Sequence, residues 1–145
     1  MLVDDGLEIL TKTQCEGLLA VRTLGRIGVT IGGLPAIFPV NYAYVDGNVV
    51  FRTSPGAKLR AASRGIVIAF EIDGYDAITQ AGWSVLVVGR AAEILDETER
   101  DHFLASSVSP WVGGERERYV RVDGEIISGR RIMGVNAARE THHSE

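Results

Sequence analysis

The chain has 145 residues, a net charge of −4 and a single cysteine, with 46% hydrophobic and 23% charged residues. That length and composition suit one globular domain without extended disorder. The acidic balance argues against nucleic acid as a partner, the lone Cys15 excludes an internal disulfide, and no apolar run approaches the roughly 20 residues of a membrane span.

In chain order, the N-terminus Met1 to Asp5 starts acidic, unlike the basic-then-apolar order of a signal peptide, so the cytoplasm is the expected location. Thr13 and Glu16 have capping-box spacing and predict a helix to about Thr23, with Cys15, Leu18, Leu19 and Arg22 on one face. Leu24 to Ile31, Leu34 to Val45 and Asn48 to Thr53 read as strands. They are joined by tight turns at Gly32-Gly33 and Asp46-Gly47. Pro35 and Pro39 suggest an edge or a bulge in the second of them. Ala57 to Ser63 reads as a short helix, Ile66 to Ile72 as an apolar strand and Asp73 to Gly82 as a polar loop. Trp83 to Ile94 is the longest strand. Asp96 caps a second helix, with Glu99 reaching back, that runs to about Val108. Arg118 to Val122 and Glu125 to Met133 predict a last hairpin through Asp123-Gly124, and the polar residues 136–145 read as a tail beyond a single domain of residues 1–135.

The fold class expected from this order is mainly β with short helices (α+β). Hairpin spacing predicts a mostly antiparallel sheet, and six or seven strands in so short a chain suggest a barrel, which leaves no unpaired edge. Such a domain has little volume for a deep private pocket, so a large ligand would sit between two subunits.

The most informative stretch is Phe51-Arg52-Thr53-Ser54-Pro55-Gly56-Ala57-Lys58-Leu59-Arg60. A strand ends, a turn of small residues follows and a helix begins. Unpaired N–H groups and the dipole of a helix start attract anions, and the hydroxyls of Thr53 and Ser54 add donors. Lys58 in the first turn works against the dipole, which an anion would offset. A plain turn with a solvated lysine fits the same residues. Neither common glycine-rich phosphate motif occurs in the chain.

That segment resembles the pyridoxamine 5′-phosphate oxidase-like family of flavin-binding split barrels, in which a strand ending in aromatic-x-Thr is followed by a small turn and a phosphate-holding Lys. Further matches are Trp83-Ser84-Val85-Leu86-Val87-Val88-Gly89-Arg90-Ala91, Phe70-Glu71-Ile72-Asp73, Pro35 to Tyr42, Trp111, and Ser128-Gly129-Arg130-Arg131. Together they span roughly residues 12 to 133. The resemblance implies a six-stranded antiparallel Greek-key split β-barrel and a homodimer with flavin sites at the interface. It implies that Lys58 and Thr53 hold the FMN phosphate with support from Arg52 and Ser54. Pro39, Val40 and Asn41 would lie along the isoalloxazine ring, and Ser84 with Trp83 would come from the long strand. Trp111 and Arg130 would reach the site from the partner subunit.

The chain also departs from the oxidase itself. Ala57 stands where that enzyme has a further basic residue directly before the lysine. The C-terminal Arg-x-His substrate motif is replaced by Ser-Gly-Arg-Arg-Ile. The implied function is an FMN-binding oxidoreductase acting on a small molecule other than pyridoxamine phosphate. A deazaflavin cofactor, whose longer anionic tail would use Arg52, Arg60 and Arg64, is the alternative, as is a flavin-storage protein without turnover. No metal site is expected, since His102, His142 and His143 lack companion ligands. Glu71, Asp73 and Asp76 read as a solvated loop cluster, and Trp83 and Trp111 as either ring-stacking or core residues. No G-x-S-x-G elbow is present.

Overall fold

A computed structural model of the chain describes residues 2–3, 7–56, 60–61, 64–106 and 118–134. The predicted tail, the loop 109–117 with Trp111, the end of the second helix near Val108, and most of the helix predicted over 57–63, Lys58 included, lie outside the described residues. The described elements are strands β1 (Leu2–Val3) and β2 (Leu7–Ile9), helix α1 (Lys12–Val21), strands β3 (Leu24–Ile31), β4 (Leu34–Val45), β5 (Asn48–Thr53), β6 (Arg64–Tyr75) and β7 (Gly82–Glu93), helix α2 (Glu97–Ser106), and strands β8 (Arg118–Asp123) and β9 (Ile126–Ile132). None of the described helices is long and apolar enough to cross a membrane.

The strands form one sheet in the order β1-β2-β9-β7-β6-β3-β4-β5-β8, and pairing of β8 with β7 closes the last six into a barrel. Consecutive hairpins β3–β4–β5 with β6 returning beside β3 make the Greek key. The turns at Gly32-Gly33 and Asp46-Gly47 have positive φ throughout, as two-residue hairpins require. Alternation then sorts the side chains. Ile27, Val29, Val40, Tyr42, Val49, Phe51, Ile68, Phe70, Ile72, Val85, Val87, Val120 and Val122 fill the barrel together with Cys15 and Leu19 of α1. The helix is held by the Tyr42 hydroxyl, which donates to the Leu19 carbonyl at 2.7 Å. Helix α2 covers the outside of β4, β5 and β8 through a second cluster containing Ala43, Val45, Val50, Phe103 and Tyr119.

Four expectations change. The first helix is capped by Thr11, not Thr13. Gln14, at the third helical position, accepts from the Thr11 N–H while Thr11 Oγ1 accepts from Gln14 N, so an amide replaces the expected Glu16. Asp96 does accept from Thr98 N at 3.2 Å, but Glu99 pairs with Arg121 instead of reaching back. Strand β6 continues through Asp73 to Tyr75, because Asp73 and Gly74 pair with Ser84 and Trp83, and only the turn after it remains of the predicted loop.

The predicted last hairpin is absent. β8 and β9 do not pair with each other; both run along the same edge of β7, Val122 opposite Ala91 and Ile126 opposite Val88. They are two halves of one strand path interrupted at Asp123–Glu125. The sequence Asp-Gly suits a hairpin turn equally well, but here Gly89 decides. A Cβ on Gly89 would collide with the Asp123 carbonyl oxygen, so its absence lets the irregular joint cross β7.

Candidate functional site

The end of β5 carries the first part of the site. Apart from tyrosines and a cysteine, Thr53 is the only polar residue in the buried set among the described residues, 4% exposed at the rim of an apolar barrel. Among the described residues its hydroxyl reaches only the neighbouring Ser54 carbonyl, at 3.4 Å, the outer limit of a hydrogen bond. Beyond it Ser54 and Pro55 are exposed. Arg60 N donates to the Gly56 carbonyl at 3.0 Å, and residues 60–61 are helical.

The β4–β5 pairing ends at Tyr42 opposite Phe51, so Asn41 and Arg52 come next on adjacent strands. The structure therefore brings Pro39, Val40 and Asn41 beside Arg52, Thr53 and Ser54. Alternation divides the trio. Pro39 and Asn41 are exposed on the outside of the barrel, while Val40 is buried inside it and can meet a ligand through its backbone only.

Ser84 and Arg130 are cross-strand partners, and Ser84 also faces Asp73 on β6. They share the outer face with Pro39 and Asn41, Ser84 across three strand spacings or about 14 Å and Arg130 one strand further. Arg26 joins the two halves. It is the partner of Pro39, and its Nη1 donates to Glu71 Oε1 at 3.3 Å and Asp73 Oδ2 at 2.8 Å. Burial pushes the Glu71 carboxyl above its ordinary range, the hydrogen bond and charge of Asp73 push the same way, and Arg26 opposes both. A shallow groove of about 330 Å³ runs along this face over Arg26, Gly28, Ile37, Ala69, Glu71 and Asp73. The loop cluster expected of Glu71, Asp73 and Asp76 is thus divided. The first two are strand residues clamped by Arg26, whereas Asp76 accepts from Ile78 N and Thr79 N in the turn.

Trp83 is on the opposite side of the sheet from Ser84. Its ring packs across Gly74 and against the barrel core, with the Arg22 guanidinium 4.9 Å from the ring centroid. A separate cleft of about 380 Å³, lined by Arg22, Tyr75, Asp76, Trp83 and Arg131 among others, opens there. Of the two roles open to Trp83, the structure presents it as a core residue with one edge in this cleft.

An arginine that the sequence reading did not place in the site stands beside Thr53: Arg118 is its cross-strand partner on β8, next to the Arg52–Tyr119 pair. Arg118, Tyr119 and Arg100 of α2 line a further cleft of about 370 Å³ with Glu93, Ile94 and Leu95. Arg118 Nε lies 3.6 Å from Glu93 Oε1. No local motif flags these residues, because the β5–β8 pairing joins segments 65 positions apart (53 to 118). The donor set at this strand end, the hydroxyls of Thr53 and Ser54 with Arg52 and Arg118, fits a nucleotide phosphate. A flat, partly apolar outer face beside it fits a ring system.

The barrel, its closing order and this phosphate-suited strand end define the class as a flavin-binding split barrel. The profile of pyridoxamine 5′-phosphate oxidase matches residues 11–131. The chain belongs to that family. An uncharacterized protein of Mycobacterium tuberculosis is 37% identical over 129 residues, covering 86% of this chain and 84% of that protein. The structure of the FAD-binding protein from Mycobacterium smegmatis superposes with a TM-score of 0.75 at 36% identity, covering 87% of this chain and 98% of that one. An FAD-binding protein from Mesorhizobium loti gives a TM-score of 0.70 at 25% identity, with 86% and 97% covered. Family membership and these neighbours support a flavin-binding protein.

Proposed function

We propose that this protein is a flavin-nucleotide-dependent oxidoreductase that works as a cytoplasmic homodimer, with the flavin phosphate at the end of β5 and the ring on the outer barrel face. The observation that carries the reading is Thr53, a buried hydroxyl with one long hydrogen bond at a strand end flanked by Arg52 and Arg118. Thr53, Ser54 and Arg52 hold the phosphate with Lys58, which the sequence alone places there. FMN is the smallest nucleotide that uses this cluster, and the FAD-binding neighbours extend the choice to FAD.

The outer face is open, so a ring lying on it keeps water on one side unless a second layer covers it. Ile37, 72% exposed, and Leu86, 39% exposed, stand on that face. A second copy buries both and encloses the ring between Asn41 and Pro39 on one side and Ser84 on the other, with Arg130 and Trp111 contributed across the interface. A bound flavin supplies the hydride chemistry itself, so the protein needs no nucleophile. Its residues bind the phosphate, orient the ring and exclude water. The small-molecule substrate is not pyridoxamine phosphate, since Ala57 and the Ser-Gly-Arg-Arg end replace that enzyme's basic residue and Arg-x-His motif.

Absorbance titration of the purified protein with FMN, FAD and a deazaflavin cofactor, repeated with Lys58→Ala, tests the reading. Saturable binding of a flavin that weakens in the variant supports it, and preference for the deazaflavin moves the protein to that cofactor class. Binding of none refutes it. Steady-state turnover with NAD(P)H then separates an enzyme from a storage protein.

A further inference from the structure

The cleft beside Trp83 lies away from the proposed flavin face, since Trp83 and Ser84 point to opposite sides of β7. It holds about 380 Å³, within the range of small-molecule pockets, and Gly74 and Gly82 put no side chains into it. A Cβ on Gly74 would lie 2.6 Å from Trp83 Nε1, so this glycine lets the indole lie across β6. Two aromatic residues border the space: Trp83 is half-buried, and Tyr75 is 66% exposed.

The charges in the cleft are unequally satisfied. Arg131 Nη1 donates to both carboxylate oxygens of Glu8, at 3.3 and 3.4 Å. Asp76 Oδ1 is turned into its own loop, accepting from Ile78 N at 2.9 Å and Thr79 N at 3.3 Å. Arg22, the residue after α1, places its guanidinium carbon over the Trp83 ring. That attraction uses its charge and leaves its N–H donors without an acceptor among the described residues. In a chain of net charge −4, one uncompensated cation therefore stands beside an aromatic wall.

We propose that this cleft is a second ligand site, for an aromatic carboxylate. Arg22 pairs with the carboxylate, and the ring packs against Tyr75 and the open edge of Trp83. A guanidinium fork matches the two oxygens of a carboxylate, and a single uncompensated charge suits a monoanion. Edge-to-face contact favours an aromatic ring over an aliphatic one of equal size. The site takes no residue from the flavin face, so the inference stands independently of the flavin reading.

Isothermal titration calorimetry of the full chain without added flavin tests it, with naphthoate as the probe. Naphthamide, naphthyl phosphate and decahydronaphthoate serve as comparisons. The titration is repeated with Arg22→Gln, Tyr75→Ala and, as a control for general anion binding, Arg100→Gln on α2. Arg22 and Tyr75 are exposed, and circular dichroism checks each variant. The expected result is saturable binding of naphthoate at least tenfold tighter than of the amide, since charge-assisted hydrogen bonds are each worth roughly tenfold or more in affinity. That affinity falls roughly tenfold in Arg22→Gln, falls severalfold in Tyr75→Ala and holds in Arg100→Gln. Equal wild-type affinity for acid and amide overturns the proposal and needs no variant to fold. Absence of saturable binding, or unchanged affinity in a folded Arg22→Gln, overturns it too. Tighter binding of the naphthyl phosphate or of the decahydronaphthoate overturns the assignment to an aromatic carboxylate. Flavin binding is measured apart from all of these, so the two readings fail separately.

Discussion

Replacing Thr53 by Val removes one hydroxyl and keeps the shape of the side chain, which separates stability from binding. Among the described residues of the free protein that hydroxyl makes a single hydrogen bond, of 3.4 Å, to a carbonyl one residue away. A bond of normal length contributes about 0.5–1.5 kcal/mol net, and this one contributes less, on the order of a few tenths. The variant also avoids burying a hydroxyl, which offsets the loss. The expected change in Tm of the flavin-free protein is therefore within about 2 °C. If the hydroxyl donates to a flavin phosphate, the bond to a charged acceptor is worth roughly 1.5–3 kcal/mol, so Kd rises roughly tenfold to a hundredfold. Differential scanning fluorimetry reads both effects. At a flavin concentration of about 100 times Kd the ligand stabilises the wild type by about 2.7 kcal/mol, and a thirtyfold weakening reduces this to about 0.9 kcal/mol. Loss of more than about 1 kcal/mol in the free protein, with the ligand-induced shift intact, would make Thr53 a structural residue and refute the reasoning.

Gly89→Ala drives a methyl group into the Asp123 carbonyl, which belongs to backbone and cannot rotate away. A cost of about 3 kcal/mol or more and a Tm fall of roughly 10 °C are expected in thermal denaturation, and an unchanged Tm would show that the β8–β9 joint lies elsewhere. Glu71 has a folded-state pKa raised above 4.5, so the folded protein holds this proton longer than the unfolded chain and loses stability as pH rises from about 4.5 through the raised value. Glu71→Gln escapes that loss, so its stability relative to the wild type improves between pH 4 and pH 7 in denaturant titrations; a relative decline would mean that attraction to Arg26 dominates. Ile37→Asp, at an exposed position, leaves circular dichroism unchanged but shifts sedimentation from dimer to monomer and weakens flavin binding. A variant that stays dimeric would place the interface on another face.

The strand plan was legible because it rests on local signals. β3, β4 and β5 follow from period-two alternation bounded by Gly-Gly and Asp-Gly, and their limits agree with the structure. The expectations that moved depend on partners far along the chain. Thr13-x-x-Glu16 satisfies a capping box on paper as well as Thr11-x-x-Gln14 does. What distinguishes them is the reciprocal pair of hydrogen bonds between Thr11 and Gln14, which starts the helix at Lys12. The Asp-Gly at 123–124 signals a turn, but a tight hairpin there would separate the last segment from β7. The chain instead makes a bulged joint that keeps both halves paired with β7 and so closes the barrel while extending the sheet toward β2.

The same distinction governs the candidate site. Arg52, Thr53 and Ser54 are contiguous, so sequence finds them; Arg118 joins them only once β8 is laid against β5. Neighbours in sequence can also be separated by the pleat. Trp83 and Ser84, read together as one contact, point to opposite sides of β7, toward the Arg22 cleft and the outer face respectively. Val40 and Asn41 divide in the same way on β4. On the proposed reading a flat ligand on the outer face would meet every second residue of each motif, Pro39, Asn41 and Ser84, and the alternate residues serve the barrel that holds them in register. Substitution of an outward residue should therefore change binding with little effect on folding, and substitution of an inward one should do the reverse. Thr53 stands outside this division, inward and polar at the rim, where the strand stops and interior and surface meet.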